Sequence, residues 1–365
     1  MSNSDSAAQE SALLTAACAG DRDAFTALIS EHLPVLHTHC YRMLGSLHDA
    51  DDALQEAQLL AWRGLEGFEG RAPLKHWLYR ITTTTCLKMI RGRGRIPLPA
   101  EELVFLQPYP DRLLDQLTAS SGDPAAIAEQ RDSVSLAFVT AMQRLPATQR
   151  AALLLRDVLA FTPDETAELL DTTVAAANSL LQRARTTMSG RGGSTNRGRP
   201  VPLSEAEHQI VRRFVDAWQH RDIPALAALL SQDAILRMPP ELAVFTGREQ
   251  VVRFFSTIPA GGRLELIELV VVRANGQPAL AAYLPDDRGT CRGYGIMVLE
   301  ISSDQISTIV GFPDAALFAA FGLPSAQRHS TAAPVQENSV VLRGPGGIGS
   351  TEGVEVGSLE GGPGS

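Results

Sequence analysis

The sequence predicts two small all-α domains followed by an α+β domain in which a curved antiparallel sheet wraps on helices. Three observations carry that expectation. Apolar residues recur at helical spacing from Ala24 to Leu60 and again between residues 131 and 188. The stretch SGRGGSTNRGRPVP, Ser189 to Pro202, then interrupts the pattern with linker composition. Beyond residue 263, runs rich in Val, Ile, Leu and Tyr are separated by turn residues, as in successive strands.

Residues 1–20 are polar and Ala-rich, which predicts a frayed end before a helix starting near Asp21. Ala24, Phe25, Leu28, Ile29 and Leu33 form one apolar stripe, and Leu36, Cys40, Met43 and Leu44 a second. The His37-Thr38-His39-Cys40 cluster offers metal-ligand side chains. Ligands at i and i+2 diverge on a helix, however, and no second Cys/His pair lies nearby, so ordinary helix residues are the expectation and no metal is assigned.

Asp49 to Trp62 is an amphipathic helix. Its apolar stripe runs through Ala50, Ala53, Leu54, Ala57, Leu60 and Ala61, with Asp49, Asp51 and Asp52 in the first turn, where the helix dipole favours negative charge. Asp52, Gln55, Glu56 and Leu59 share the opposite face at i, i+3, i+4 and i+7. After the Gly67-Phe68-Glu69-Gly70 turn the character inverts. Arg71 to Arg95 holds seven basic residues and no acid, with His76, Trp77 and Tyr79 interleaved. Cations follow a phosphate backbone and aromatics stack on bases, while the plainer reading is a solvated basic helix with Trp77 in the core.

Residues 96–130 read as a linker, because Pro97, Pro99, Pro108 and Pro110 forbid a long helix and Ser120-Ser121-Gly122-Asp123-Pro124 breaks the chain again. Residues 131–188 read as a compact helical unit. Thr162 and Glu165 form a capping box with Pro163 at the first helical position, and Asp171-Thr172-Thr173 turns into a last helix. That helix buries Val174, Ala177, Leu181 and Ala184 and exposes Ala175, Asn178, Ser179, Gln182, Arg183 and Arg185. Asn, Ser, Gln and Arg on the second helix of such a pair suit base edges and phosphates in a major groove; similar pairs also serve as plain structure.

The chain has 365 residues and a net charge of −9, unevenly spread: residues 1–70 hold three basic and eleven acidic side chains, and residues 172–199 five arginines and no acid. Local basic patches on an acidic chain fit a protein that meets DNA inside a larger complex. No signal-peptide pattern and no membrane-length apolar run is present, and Cys18, Cys40, Cys86 and Cys291 make no C-x-x-C motif, so a reduced cytoplasmic protein is expected.

The stretch DADDALQEAQLLAWRGLEGFEGRAPLKHWLYRITTTTCLKMIR resembles region 2 of extracytoplasmic-function sigma factors, the promoter-recognition subunits of bacterial RNA polymerase. In that family the Asp/Gln/Glu face docks on the β′ clamp helices, and the following loop and helix melt and read the −10 element. The resemblance implies core binding by Asp52, Gln55, Glu56 and Leu59, and −10 contacts by Arg71, Lys75, Trp77, Tyr79, Arg80, Thr84, Lys88 and Arg91. Many members have Ala-Thr-Asn where this chain has Thr82-Thr83-Thr84, and Thr84 cannot make the bidentate amide contact of Asn. LPATQRAALLLRDVLAFTPDETAELLDTTVAAANSLLQRAR resembles region 4, which reads the −35 element, and implies contacts by Thr173, Asn178, Ser179, Gln182, Arg183 and Arg185.

The Gln107-Pro108-Tyr109-Pro110-Asp111 segment resembles members that carry a C-terminal extension. In the family this linker threads the polymerase active-site cleft; local packing on a neighbouring domain is the other reading. ILRMPPELAVFTGREQVVRFF and LFAAFGLP resemble the SnoaL-like branch of the nuclear-transport-factor-2-like superfamily, some members of which are cyclases or isomerases. Where many fused relatives have an aromatic pair before Gly-Arg, this chain has Ala243-Val244-Phe245. Catalysis would need a carboxylate in an apolar pocket, for which Asp216, Asp233, Glu241 and His220 are the candidates, without diagnostic spacing.

The expected organisation is region 2 over 1–95, a linker over 96–130, region 4 over 131–190, a flexible linker over 191–202, the SnoaL-like domain over 203–324 and a disordered tail over 325–365. The resemblance implies no catalytic residue or cofactor. It implies as partners the polymerase core (β′ clamp helices and β flap) and promoter DNA, with an intramolecular contact from the SnoaL-like domain; about an anti-sigma factor the sequence is silent. The alternatives are a SnoaL-like isomerase or cyclase, or a ligand-sensing domain, fused to a DNA-binding module; the ligand-sensing form would act as a stand-alone repressor.

Overall fold

Helix α1 (Asn3–Cys18) replaces the expected frayed end. Its Ala17 is buried and Leu13 and Leu14 lean on the same core, so packing holds a segment whose own amphipathicity is weak. Asp21 then caps α2 (Arg22–Ser30), accepting from the amides of Asp23 at 2.9 Å and Ala24 at 3.1 Å. Helix α3 (Leu33–Leu44) ends at Gly45, whose φ of 75° suits glycine. A Cβ there would lie 2.8 Å from the Gln143 side chain, so the glycine also permits a close approach. Ser46 caps α4 (Leu47–Gly64), and α5 (Leu74–Gly92) completes the first bundle around Cys40, Tyr41, Met43, Leu44 and Leu47.

The computed structural model describes residues 3–70, 72–92, 106–118, 133–189, 205–241, 243–286 and 289–328, with the backbone alone for 3–7, all within one compact unit, Met1–Ser330. Arg71, Arg93, Arg95, the linker stretch 191–202 and residues 329–365 of the tail lie outside the described residues. Within 96–130, residues 106–118 pack on their neighbours: Leu106 and Tyr109 are buried, and a short helix, α6 (Asp111–Thr118), buries Leu114.

Helix α7 (Leu136–Gln143) and α8 (Ala147–Leu153) follow, and α8 runs on into a π turn, Leu154–Val158. The helix-turn-helix is α9 (Pro163–Leu169) and α10 (Val174–Ser189). The capping box at Thr162 and Glu165 is formed in both directions.

The C-terminal part opens with α11 (Glu205–Gln219) and α12 (Ile223–Leu229), then β1 (Leu230–Arg237), β2 (Val244–Thr246) and α13 (Arg248–Thr257). Strands β3 (Glu268–Ala274), β4 (Gln277–Pro285), β5 (Thr290–Ser302) and β6 (Gln305–Phe312) follow, with α14 (Leu317–Ala320) and β7 (Ala326–Arg328). Among the described residues the sheet runs β2-β1-β6-β5-β4-β3, with β7 also on β5. It is mixed rather than wholly antiparallel: β1 and β6 pair in parallel. These strands are far apart in sequence, and the connection spans α13 and the β3–β5 meander, long enough for the crossover that a parallel pair requires.

The sheet is covered on both sides. Along β4, Leu280 and Ala282 join the core under α11, α12 and α13. The alternate residues Ala279, Ala281 and Tyr283 join the larger core that continues through the helical domains. A strand so placed is buried nearly end to end.

Candidate polymerase and promoter interfaces

On α4, Ala50, Ala53, Leu54, Ala57 and Ala61 face inward, and Asp52, Gln55, Glu56 and Leu59 are left exposed together. Leu59 is 47% exposed, a large apolar side chain held in water amid acids and an amide. Such a patch matches a partner that presents cations around an apolar spot.

Helix α5 exposes Lys75, Arg80, Lys88 and Arg91, and Thr84 is half-buried. Trp77 is half-buried, with its ring 5.0 Å from that of Phe68. Tyr79, expected among the −10 contacts, is 1% exposed here, edge-on to His39 at 5.2 Å and to Phe161 at 5.3 Å. Burial pushes its phenol up to about 12. Its spacing placed it with the cations, but Phe161, more than eighty residues away in the chain, closes over it.

On α10, Asn178, Ser179, Gln182 and Arg183 are exposed on one side of the helix. Thr173 is exposed too, and its hydroxyl caps α10 by accepting from the Ala176 amide at 3.2 Å. Arg185 is solvent-accessible but not free, because Asp157 holds it in a two-pronged ion pair at 2.9 and 2.6 Å. Nothing in local spacing links positions 157 and 185, so the sequence carries no signal for this pair.

The two helical modules are clasped together. His76 of α5 lies 3.5 Å from Glu165, the capping residue of α9, and packs edge-on to Phe161 at 4.9 Å. Arg150 is buried between them and donates to the carbonyls of Met43, Gln143 and Leu145. The aromatic side of α5, His76 and Tyr79, is thus covered by the start of the helix-turn-helix, while its cations Lys75, Arg80, Lys88 and Arg91 and the acidic face of α4 are exposed.

A second junction joins the helical part to the sheet. The β3–β4 hairpin turns at Asn275 and Gly276, both with positive φ, and Asn275 is 1% exposed, although hairpin tips ordinarily face water. Its amide donates to the Tyr109 carbonyl and its Oδ1 accepts from the Tyr109 amide, both at 2.8 Å. Its Nδ2 donates to the Tyr41 hydroxyl at 2.9 Å and the Val134 carbonyl at 2.7 Å. Asp111 accepts from Gly276 at 2.8 Å and pairs with Arg273 at 3.0 Å. Burial nonetheless raises its carboxyl above the usual range. Tyr109 shares hydrogen bonds with His37 at 2.7 Å and Thr38 at 3.2 Å, and His37 reaches Asp51 of α4 at 3.0 Å. One asparagine thereby touches the first bundle, the linker and the approach to the second module.

Of the four candidates for catalysis, only Asp216 and His220 meet, and both are exposed. Asp216 and His220 pair at 3.3 Å on an exposed face of α11, Asp233 bonds Ser231, and Glu241 is exposed. The concave core holds Phe214, Trp218, Phe254 and Phe255, and among the described residues it contains no buried carboxylate. His37 and His39 of the cluster considered for metal bind Tyr109 and Thr83 respectively.

An acidic docking face, a basic aromatic helix and a helix-turn-helix in one chain define a DNA-reading factor that works on a larger assembly. Family models agree with that division: sigma-70 region 2 matches residues 28–96, sigma-70 region 4 matches 135–188, and a SnoaL-like domain matches 211–307. The chain is 38% identical over 322 residues to the extracytoplasmic-function sigma factor SigG of Mycobacterium tuberculosis, covering 83% of this chain and 85% of that one. It is 35% identical over 186 residues to SigM of the same species, covering 51% of this chain and 86% of that one. The crystal structure of M. tuberculosis SigJ shares the fold, with a TM-score of 0.56 at 22% identity over 80% of this chain and 98% of that one. The chain belongs to the extracytoplasmic-function sigma factors, with a SnoaL-like domain fused at the C-terminal side. It binds RNA polymerase core and promoter DNA and directs initiation, and it is not an enzyme. No helix among the described residues is long and apolar enough to cross a membrane.

Proposed function

We propose that Asp52, Gln55, Glu56 and Leu59 dock on the β′ clamp helices, and that region 4 also meets the β flap. Arg71, Lys75, Trp77, Arg80, Thr84, Lys88 and Arg91 engage the opened −10 strand, and α10 enters the −35 major groove. The SnoaL-like domain modulates these steps in cis by holding the two modules in the clasped arrangement. The observation that carries this reading is the contrast between α4, whose docking face is open, and α5, where Phe161 and Glu165 cover Tyr79 and His76. Core binding and promoter reading are then separable: the clasped chain reaches the polymerase, and the −10 helix is released only when region 4 lifts away.

The test compares the full chain with a 1–199 fragment in binding to core and to promoter DNA in the presence of core. Similar core affinity with stronger promoter binding by the fragment supports masking of α5. Weaker core binding by the full chain would place the restraint at docking instead. Indifference of both steps to the truncation would end the idea of cis modulation.

A further inference from the structure

Arg185 lies on α10 at i+7 from Asn178 and i+3 from Gln182, on the same side of the recognition helix. Its Nε donates to one carboxylate oxygen of Asp157 at 2.9 Å and its Nη2 to the other at 2.6 Å. Asp157 is placed by the π turn at the end of α8, where the Leu159 amide bonds back to Leu154 at 2.9 Å and that of Phe161 to Leu155 at 2.9 Å. Arg156 also donates to the Phe161 carbonyl, so both ends of this turn are tied down. Single π turns inside helices are rare and frequently lie at functional sites.

The pairing uses one edge of the guanidinium. An arginine has five N–H donors, and a carboxylate on the Nε/Nη2 edge leaves the Nη1/Nη2 end free. That end is the fork that meets two acceptors of a guanine edge. Both side chains remain partly in water, Arg185 at 52% and Asp157 at 32%, so the free end can reach a ligand outside the protein. Two planar groups locked along one edge fix the long arginine side chain before DNA arrives, which lowers the ordering cost of binding.

We propose that Asp157 is a positioning residue for promoter specificity, aiming the outer fork of Arg185 at one base pair of the −35 element. This rests on the reading of α10 as the −35 helix. The experiment uses the full chain assembled with core polymerase, and measures binding to promoter fragments carrying each single base-pair change across the −35 element. Asp157→Asn, close to isosteric, is expected to erase discrimination at one position by about tenfold and to leave the other positions alone. Arg185→Ala and Arg185→Lys should lose preference at that same position, the double variant D157N/R185A should be no worse than R185A, and Asp157→Glu should restore part of the preference. Uniformly tighter binding by D157N on every fragment would overturn the proposal, because it would mean that the carboxylate only competes with phosphate for Arg185. An unchanged base preference in D157N would overturn it as well. If Asn178→Ala and Gln182→Ala also leave −35 preference intact, the assignment of α10 itself fails; if they alter it and D157N does not, only the role of Asp157 is lost.

Discussion

Burial makes His39, expected only as an ordinary helix residue, a group that resists protonation. It is fully buried, bonded through Nε2 to Thr83 at 2.9 Å, and burial together with nearby Arg42 lowers its pKa to about 3. The unfolded chain binds a proton near the ordinary 6.5 and the folded chain does not, so stability is complete above about 6.5 and falls as pH drops toward 3. The expected loss from this residue is on the order of 1 kcal/mol per pH unit within that window. Denaturant unfolding at several pH values should show a flatter profile for His39→Gln than for the parent; parallel profiles would contradict it. At the docking face, Glu56→Lys places a cation among Asp52 and Gln55, and core affinity should fall by about tenfold or more with folding unaffected, since Glu56 is exposed. Spacing alone made that face legible. It could not reveal that Tyr79 is covered or that Arg185 is held, because their partners, Phe161 and Asp157, are remote in the chain.

Individual elements divide by whether their cause is local. The Thr162–Glu165 box is local, and Thr162→Ala should cost about 1 kcal/mol of stability, measured by thermal or denaturant unfolding. The β3–β4 hairpin is only half local. Asn-Gly is a common tight-turn pair, and Asn275 and Gly276 at φ 58° and 74° behave accordingly. The burial of the tip is tertiary, since Tyr41, Tyr109 and Val134 supply the socket. Asn275→Gly keeps the turn and removes the side-chain bonds, leaving the Tyr109 amide and Val134 carbonyl without their partner. A cost of about 2–4 kcal/mol is expected, with faster amide exchange over residues 106–118 than elsewhere. Unchanged exchange there would mean that the hairpin does not hold the linker. Helix α1 failed to register in the sequence for a related reason: its hold on the fold comes from α2 and the bundle core more than from its own pattern.

At the scale of the whole molecule, one interior runs from the first bundle through the linker to one face of the sheet. The sheet face carrying Ala279, Ala281, Tyr283, Ile296 and Val298 is thereby shielded within the chain itself. Phe161→Ala should loosen the clasp at its centre. With core present, binding of a single-stranded −10 fragment is expected to rise several-fold while core affinity stays level. A fall in fragment binding would show instead that Phe161 supports α5 in its reading conformation.

By itself the sequence determined the helices and strands with strong period, the caps, the linker composition, and the set of exposed polar and basic side chains on α4, α5 and α10. These follow from the spacing of neighbours within one element, which the chain carries locally. Only the tertiary structure decided which of those faces stay open, because covering one requires residues that meet across the fold. Phe161 on Tyr79, Asp157 on Arg185, Asn275 in its socket and the parallel pairing of β1 with β6 all join positions far apart in the chain, and their contacts depend on how whole elements pack.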